Sequence, residues 1–362
     1  MGRVYSITSP APKGGISYKQ ITVDYENMPV ILKPIYTGIC GTDRGIVKGS
    51  LNFAYCPPGY SDLALGHESI CRVISAKSNK YGIRSGDIVV PIVRRPGQCL
   101  NCITGRSDNC SDGDKHEAGV TGMHGFMREE FGDSPEYLLK VSSDTMKEVG
   151  VLTEPLKNVE KAFEVYDLVS RRSISTDRFG SLSEKRAIII GTGSEAFLYA
   201  LKCRDYGFQT LITNRHPIDD LKMKFLDTAG VQFFDYTKEH RDESGWDLVI
   251  DTSGDPGTIM RFLRKTNNNG NVILFGTNGS APATGIDGQD IDHIIERNIF
   301  LIGSVDGARV HYELALKDLE RWNVQYGDKI KSLITHRYSP DDTSVFAKKD
   351  PLEIKSVIDW SK

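Results

Sequence analysis

Two kinds of hydrophobic patterning divide this chain. Up to about residue 150, apolar residues come in short runs broken by Gly, Pro and Asp: Ile31-Leu32, Ile88-Val89-Val90-Pro91-Ile92-Val93 and Tyr137-Leu138-Leu139-Lys140-Val141. Such runs predict the strands of an irregular, β-rich domain. From Val149 the character changes: Val159, Ala162, Phe163, Tyr166 and Val169 recur at helical spacing and predict an amphipathic helix. The Ser-, Arg- and Asp-rich stretch 171–184 predicts a loop leading out of it. Arg186-Ala187-Ile188-Ile189-Ile190, apolar after its first residue, then predicts a strand buried on both faces. It runs through Gly191-Thr192-Gly193-Ser194-Glu195-Ala196 into a helical pattern carried by Phe197, Leu198, Ala200 and Leu201. Further strands are expected at 209–213, 247–251, 271–275 and 298–302, and strands alternating with helices specify a doubly wound parallel sheet. Beyond about residue 310 the alternation stops, and the tail is expected to return to the first domain. The expected division is therefore 1–180 with 310–362, and 181–309.

Bulk properties agree with a two-domain chain, since 362 residues exceed what one core usually supports. With 39% hydrophobic and 26% charged residues, the composition is that of a globular protein. A formal charge of −3 without a basic cluster argues against a nucleic-acid surface. No apolar run reaches the length of a membrane span or a signal peptide, so a cytoplasmic location is expected. In such a compartment, an odd set of seven cysteines reads as metal ligands or nucleophiles before disulfides.

The glycine turn after strand 186–190 has the context that makes Gly-x-Gly-x-x-Ala informative. Gly191 permits the turn, Gly193 lets the backbone approach a pyrophosphate, and Ala196 allows close helix–strand packing. The N–H groups of the following helix, from Thr192, Ser194 and Glu195 onward, face the phosphates. At the end of the next strand, an NAD site normally carries an acid for the ribose hydroxyl. Here stand Asn214, Arg215 and His216. Arginine clamps a 2′-phosphate that a carboxylate would repel, so NADP is favoured, with NAD still possible. Phe275-Gly276-Thr277 ends another strand at the edge where open α/β sheets bind ligands.

Cys40 lies in Gly38-Ile39-Cys40-Gly41-Thr42-Asp43, and Gly66-His67-Glu68 follows about 26 residues later. Thiolate, imidazole and carboxylate are the ligand types of a catalytic zinc. Alone, Cys40 reads as a small buried hydrophobe and His67 as a core residue; beside a dinucleotide motif the metal reading gains. Cys99, Cys102 and Cys110 form a second cluster.

In order and spacing these motifs resemble the zinc-containing medium-chain alcohol dehydrogenases. Within them, Val93-Arg94-Arg95-Pro96-Gly97, Glu117-Ala118-Gly119, His124-Gly125-Phe126-Met127-Arg128-Glu129 and Glu154-Pro155-Leu156 resemble the archaeal-type glucose 1-dehydrogenases. The resemblance implies an α/β architecture, a GroES-like β-rich catalytic domain joined to a Rossmann domain, and a homotetramer. It implies Cys40 and His67 as zinc ligands, with Glu68 and Glu154 both eligible beside them and the choice left open. It also implies a structural zinc on Cys99, Cys102 and Cys110. Pro96 stands where relatives carry a fourth cysteine, and Asp114 is the preferred replacement, with Asp112 and His116 as competitors. Cys71 departs from a position usually held by glycine, which leaves the local backbone in question.

The implied reaction is oxidation of D-glucose, and of D-galactose, at C1 to the aldonolactone with hydride transfer to NADP. Thr42, two residues after Cys40, is assigned the proton relay. Glu117 and Glu154 are expected to bind the sugar. Ser304, Val305 and Asp306 are expected beside the cofactor, with Asp306 near the sugar as well. A polyol or secondary-alcohol dehydrogenase using the same zinc and cofactor is the alternative.

Overall fold

A computed structural model describes residues 2–113, 115–172, 185–215, 218–236, 245–278 and 285–362. The chain forms two compact units, residues 1–157 with 307–362, and residues 158–306. The expected boundary at 180/181, and most of the predicted loop 171–184, lie outside the described residues.

The first unit is β-rich. Its largest sheet has seven strands, six of them in the order Leu138–Lys140, Ile88–Pro91, Glu68–Ala76, Val30–Ile39, Lys355–Asp359 and Ile334–Tyr338. Phe131–Asp133 also pairs with Val30–Ile39. Only Ile31-Leu32 of the ten-residue strand Val30–Ile39 was legible as a strand, because Lys33 and Pro34 interrupt the apolar run. The register shifts at that proline, which has no N–H to give to the ladder. A second, three-stranded sheet joins Ser17–Val23, Gly2–Ser9 and Leu63–Ala64. The buried side chains Ile7, Ile39, Ile46, Leu65, Met127, Phe346 and Ile358 form one core cluster, which draws on both ends of the chain.

The antiparallel pairing of Val30–Ile39 with Glu68–Ala76 sets Gly38 opposite Glu68. The end of the first strand thus lies beside the start of the second, and Cys40 and His67 are delivered to the same corner. Gly66, at φ 88°, turns the chain into His67, and a Cβ there would lie 2.5 Å from Met127 Cγ. That is a turn only glycine makes readily.

The second unit is a six-stranded parallel sheet in the order Gln232–Phe234, Gln209–Thr213, Arg186–Ile190, Trp246–Asp251, Thr266–Leu274 and Phe300–Gly303. Helices Ser194–Asp205, Asp220–Ala229, Pro256–Leu263 and Gly288–Glu296 alternate with its strands. Ile188, Ile190, Trp246, Val249, Phe262 and Val272 build its core. Strand Thr266–Leu274 starts five residues ahead of the expected Asn271, through Thr-Asn-Asn-Asn-Gly, and the last strand starts at Phe300 rather than at Asn298, which turns at φ 53°. The short strand Gln232–Phe234 has too few residues to show a period. Among the described residues, no helix is long and apolar enough to cross a membrane.

Candidate functional site

The metal corner is built from two short segments. Cys40 adopts an extended conformation at φ −107° and ψ 166°, and helix Gly41–Lys48 starts directly after it. Asp43, in the first turn, reaches back to accept from the Cys40 N–H at 2.9 Å. Its other oxygen accepts from the Gly66 N–H at 3.2 Å and lies 3.5 Å from His67 Nδ1. One buried carboxylate therefore fixes the backbone before both candidate ligands and faces the imidazole. Ligand atoms of Cys40, His67 and Glu68 lie within 4.8 Å of one another. Thiolate, imidazole and carboxylate in such a group fit zinc. Thr42 Oγ1 lies 3.8 Å from Cys40 Sγ, at the rim of the same group.

The electrostatics follow from burial and pairing. Burial disfavours the His67 imidazolium, but the facing Asp43 carboxylate outweighs it and raises His67 well above its ordinary range. Burial likewise pushes the Asp43 carboxyl up, yet His67 and the two backbone N–H groups carry the net shift downwards. A metal ligand must be a neutral imidazole.

Glu154 is buried but outside the donor group, and its carboxylate lies 3.2 Å from Lys157 Nζ. Glu117 is held by Arg94, whose Nε and Nη2 donate to Oε1 at 3.1 and 2.6 Å. Cys71 sits inside strand Glu68–Ala76, which runs through it without a break, and burial pushes its thiol up to about 12. It is an inert core residue.

In the second cluster, the sulfurs of Cys99, Cys102 and Cys110 lie within 4.8 Å of one another. Backbone N–H groups of Cys102 and Ser111 hold the Cys99 thiol down to about 6, which favours the thiolate a metal needs. Asp114 lies outside the described residues. Cys102→Ala is expected to lower Tm on the order of 5 °C and to remove one zinc per chain. Unaltered metal content in that variant would refute a zinc at this cluster.

The nucleotide residues share one edge of the parallel sheet. Ile190 is in register with Thr213 and with Asp251, Asp251 with Leu274, and Leu274 with Gly303. Gly191, Asn214, Phe275 and Ser304 thus each follow a strand end at the same level. Gly191 has φ 123°, and a Cβ there would lie 2.3 Å from Thr252 Oγ1, so only glycine fits. Gly193 caps helix Ser194–Asp205 without a side-chain bond to its first N–H groups, which suits an anion. Asn214 Nδ2 donates to Thr192 Oγ1 at 3.1 Å and ties the second strand end to the glycine turn. Arg215 is 61% exposed, and its guanidinium lies 3.9 Å from Asp255. Glu195 accepts from Ser194 Oγ at 2.9 Å, and Ala196 is buried in the helix. Phe275 and Gly276 both donate their N–H to the Asp251 carbonyl, and a Cβ on Gly276 would lie 2.3 Å from Gly254 N. Thr277 follows directly. Ser304 and Asp306 are buried, Asp306 at φ 71°, and Val305 is exposed. His216 lies outside the described residues.

Residues 26–143 match the alcohol dehydrogenase GroES-like domain, and residues 147–360 match the glucose dehydrogenase C-terminus family. A glucose 1-dehydrogenase of Thermoplasma acidophilum is 52% identical, and the alignment covers 98% of each chain. The chain belongs to the glucose dehydrogenase family. Its relative in Metallosphaera sedula, also a glucose 1-dehydrogenase, is 37% identical over 97% of each chain. The solved structure of Haloferax mediterranei glucose dehydrogenase in complex with NADP, Zn and gluconolactone superimposes with a TM-score of 0.82. It covers 99% of each chain at 24% identity, a likeness of fold. The GroES-like and doubly wound parallel parts expected from the sequence are both present.

In this glucose dehydrogenase family member, three charged residues around the metal corner have no role in the sequence reading: Arg44, Glu353 and Lys355. Arg44 donates from both terminal nitrogens to Glu353 at 3.0 and 2.8 Å, and Lys355 Nζ meets Glu68 at 2.5 Å. Asp43 was visible in the motif, and an acid three residues after the N-cap, here Cys40, is a signal for the capping bond it makes. Glu353 and Lys355 carried no local signal.

Proposed function

We propose that this protein oxidises D-glucose, and D-galactose, at C1 to the aldonolactone and passes the hydride to NADP. The observation that carries the reading is the close donor group of Cys40, His67 and Glu68 in a chain 52% identical to a glucose 1-dehydrogenase. Those three residues would hold zinc. When bound, zinc supplies a Lewis acid that lowers the pKa of a sugar hydroxyl. Cys40 and His67 anchor the site from two strand ends, and Asp43 orients the imidazole from behind, as second-shell carboxylates do. Thr42 Oγ1 receives the proton leaving the C1 hydroxyl and passes it to solvent. A sugar taken from water needs a partner for each hydroxyl. Glu117, oriented by Arg94, and Glu154 supply acceptors for that purpose.

A substrate panel with zinc-loaded protein tests the reading. Turnover of glucose and galactose with NADP is expected; turnover of sorbitol and secondary alcohols with none of glucose would replace it by the polyol reading. Cofactor choice rests on Arg215. A charge-assisted hydrogen bond is worth about 1.5–3 kcal/mol, so Arg215→Ala is expected to lower the NADP-to-NAD ratio of kcat/KM by about tenfold or more. An unchanged ratio would show that Arg215 does not meet the 2′-phosphate. A homotetramer belongs to the same reading, and light scattering of the purified protein checks it.

A further inference from the structure

Glu117 and the cysteine cluster meet at one guanidinium. Strand Arg94–Arg95 pairs antiparallel with His116–Ala118 and sets Arg94 opposite Glu117. Nε and Nη2 of Arg94 both donate to Glu117 Oε1, while Nη1 donates to the Ser107 carbonyl at 2.9 Å. That carbonyl also accepts the Cys110 N–H at 3.2 Å. The Arg94 side chain is 6% exposed, so its planar fork holds both partners in one fixed geometry. With Oε1 engaged, Oε2 has lone pairs left for a sugar hydroxyl, beside a 3.4 Å contact with Thr121 Oγ1. The turn after Glu117 abuts the metal corner. A Cβ on Gly119 would lie 2.5 Å from the carbonyl oxygen of Gly66, the residue before His67. A short run of contacts thus joins Cys110 to the carboxylate assigned to the sugar.

We infer that Arg94 is a positioning residue that couples the cysteine cluster to Glu117, so that metal on Cys99, Cys102 and Cys110 tightens sugar binding. This coupling rests on the zinc and sugar readings proposed above. A cation gathering three thiolates fixes the segment 107–110. Without it the Ser107 carbonyl shifts, and the fork turns with it. Glu117 then offers Oε2 at the wrong angle, and a hydroxyl taken from water loses its partner. A purely structural Arg94 behaves differently. If it only neutralised Glu117 and braced the strands, its loss would change stability, and the state of the cluster would not register at the sugar.

The test is a double-mutant cycle on Cys102→Ala and Arg94→Lys in zinc-loaded protein. It is read by calorimetry, as the glucose Kd of the NADPH-bound form, and by steady-state kinetics. Lysine keeps the charge, so a change there reports geometry. Each single variant is expected to weaken glucose binding by about fivefold or more, the lower end of couplings between sites. KM for glucose should rise in step, with kcat within about threefold of the parent. The double variant is expected to lie within about twofold of the weaker-binding single variant, because one link carries both effects. A glucose Kd within about twofold of the parent in Cys102→Ala overturns the inference. Single effects that multiply in the double variant overturn it too, as does a fall in kcat that matches the rise in KM. Zinc content and binding by the parent keep the failures apart. If Cys102→Ala holds as much zinc as the parent, the cluster has no metal, and the coupling falls with that reading. If the parent binds no glucose, the sugar reading itself fails. Should Cys102→Ala not fold, Cys110→Ser takes its place in the cycle with the same expected outcomes.

Discussion

Replacing Cys40 with alanine is expected to remove one zinc per chain and to lower kcat/KM on glucose by at least about a thousandfold, with the fold intact. The magnitude follows from losing Lewis-acid stabilisation worth several kcal/mol, at about 1.4 kcal/mol per factor of ten. The fold should survive because the structural bond at this position is made by the backbone. Asp43 accepts from the Cys40 N–H, a bond that alanine keeps. Metal analysis, a thermal melt and steady-state kinetics on one preparation separate the possibilities. Activity comparable to the parent would remove Cys40 from the catalytic site. Loss of activity together with a collapsed melt would show that Cys40 acts through stability instead.

The largest effect on stability is expected at Glu353. Its carboxylate receives both terminal nitrogens of Arg44, and their side chains are only 3% and 9% exposed. Glu353→Leu strands a buried guanidinium, which typically costs about 3–5 kcal/mol. Arg44→Met/Glu353→Leu removes both charges and should recover most of that loss, because desolvating the pair offsets much of its attraction. Denaturant unfolding of parent, single and double variants completes the cycle. A single variant within about 1 kcal/mol of the parent would mean that Arg44 finds water or another acceptor when Glu353 is gone.

These two residues mark where sequence reading stops. Strand 186–190 was legible because both faces are buried, so the apolar run is nearly continuous. The glycine turn was legible because Gly191 occupies a conformation that excludes other residues, and such positions leave a signature in the chain. Cys40 and His67 announced themselves by residue type. The strand Thr266–Leu274 was half hidden, since its first six residues carry no apolar side chain. Arg44 and Glu353 are 309 positions apart and Glu68 and Lys355 are 287 apart. Nothing in the neighbourhood of either member specifies the other; only the folded sheet does. The role of Glu154 was open for a similar reason; in the fold its carboxylate meets Lys157, one turn on along the same helix.

The place of Lys355–Asp359 beside Val30–Ile39 also sets an order of manufacture. A ribosome completes residues 158–306 while that strand is still unmade, so the parallel sheet can fold as a unit during synthesis. Until the tail emerges, the sheet that carries Cys40 and His67 keeps an open edge along Val30–Ile39. The donors encoded first are enclosed last, and the nascent protein passes through a stage in which its thiols are born long before their shelter.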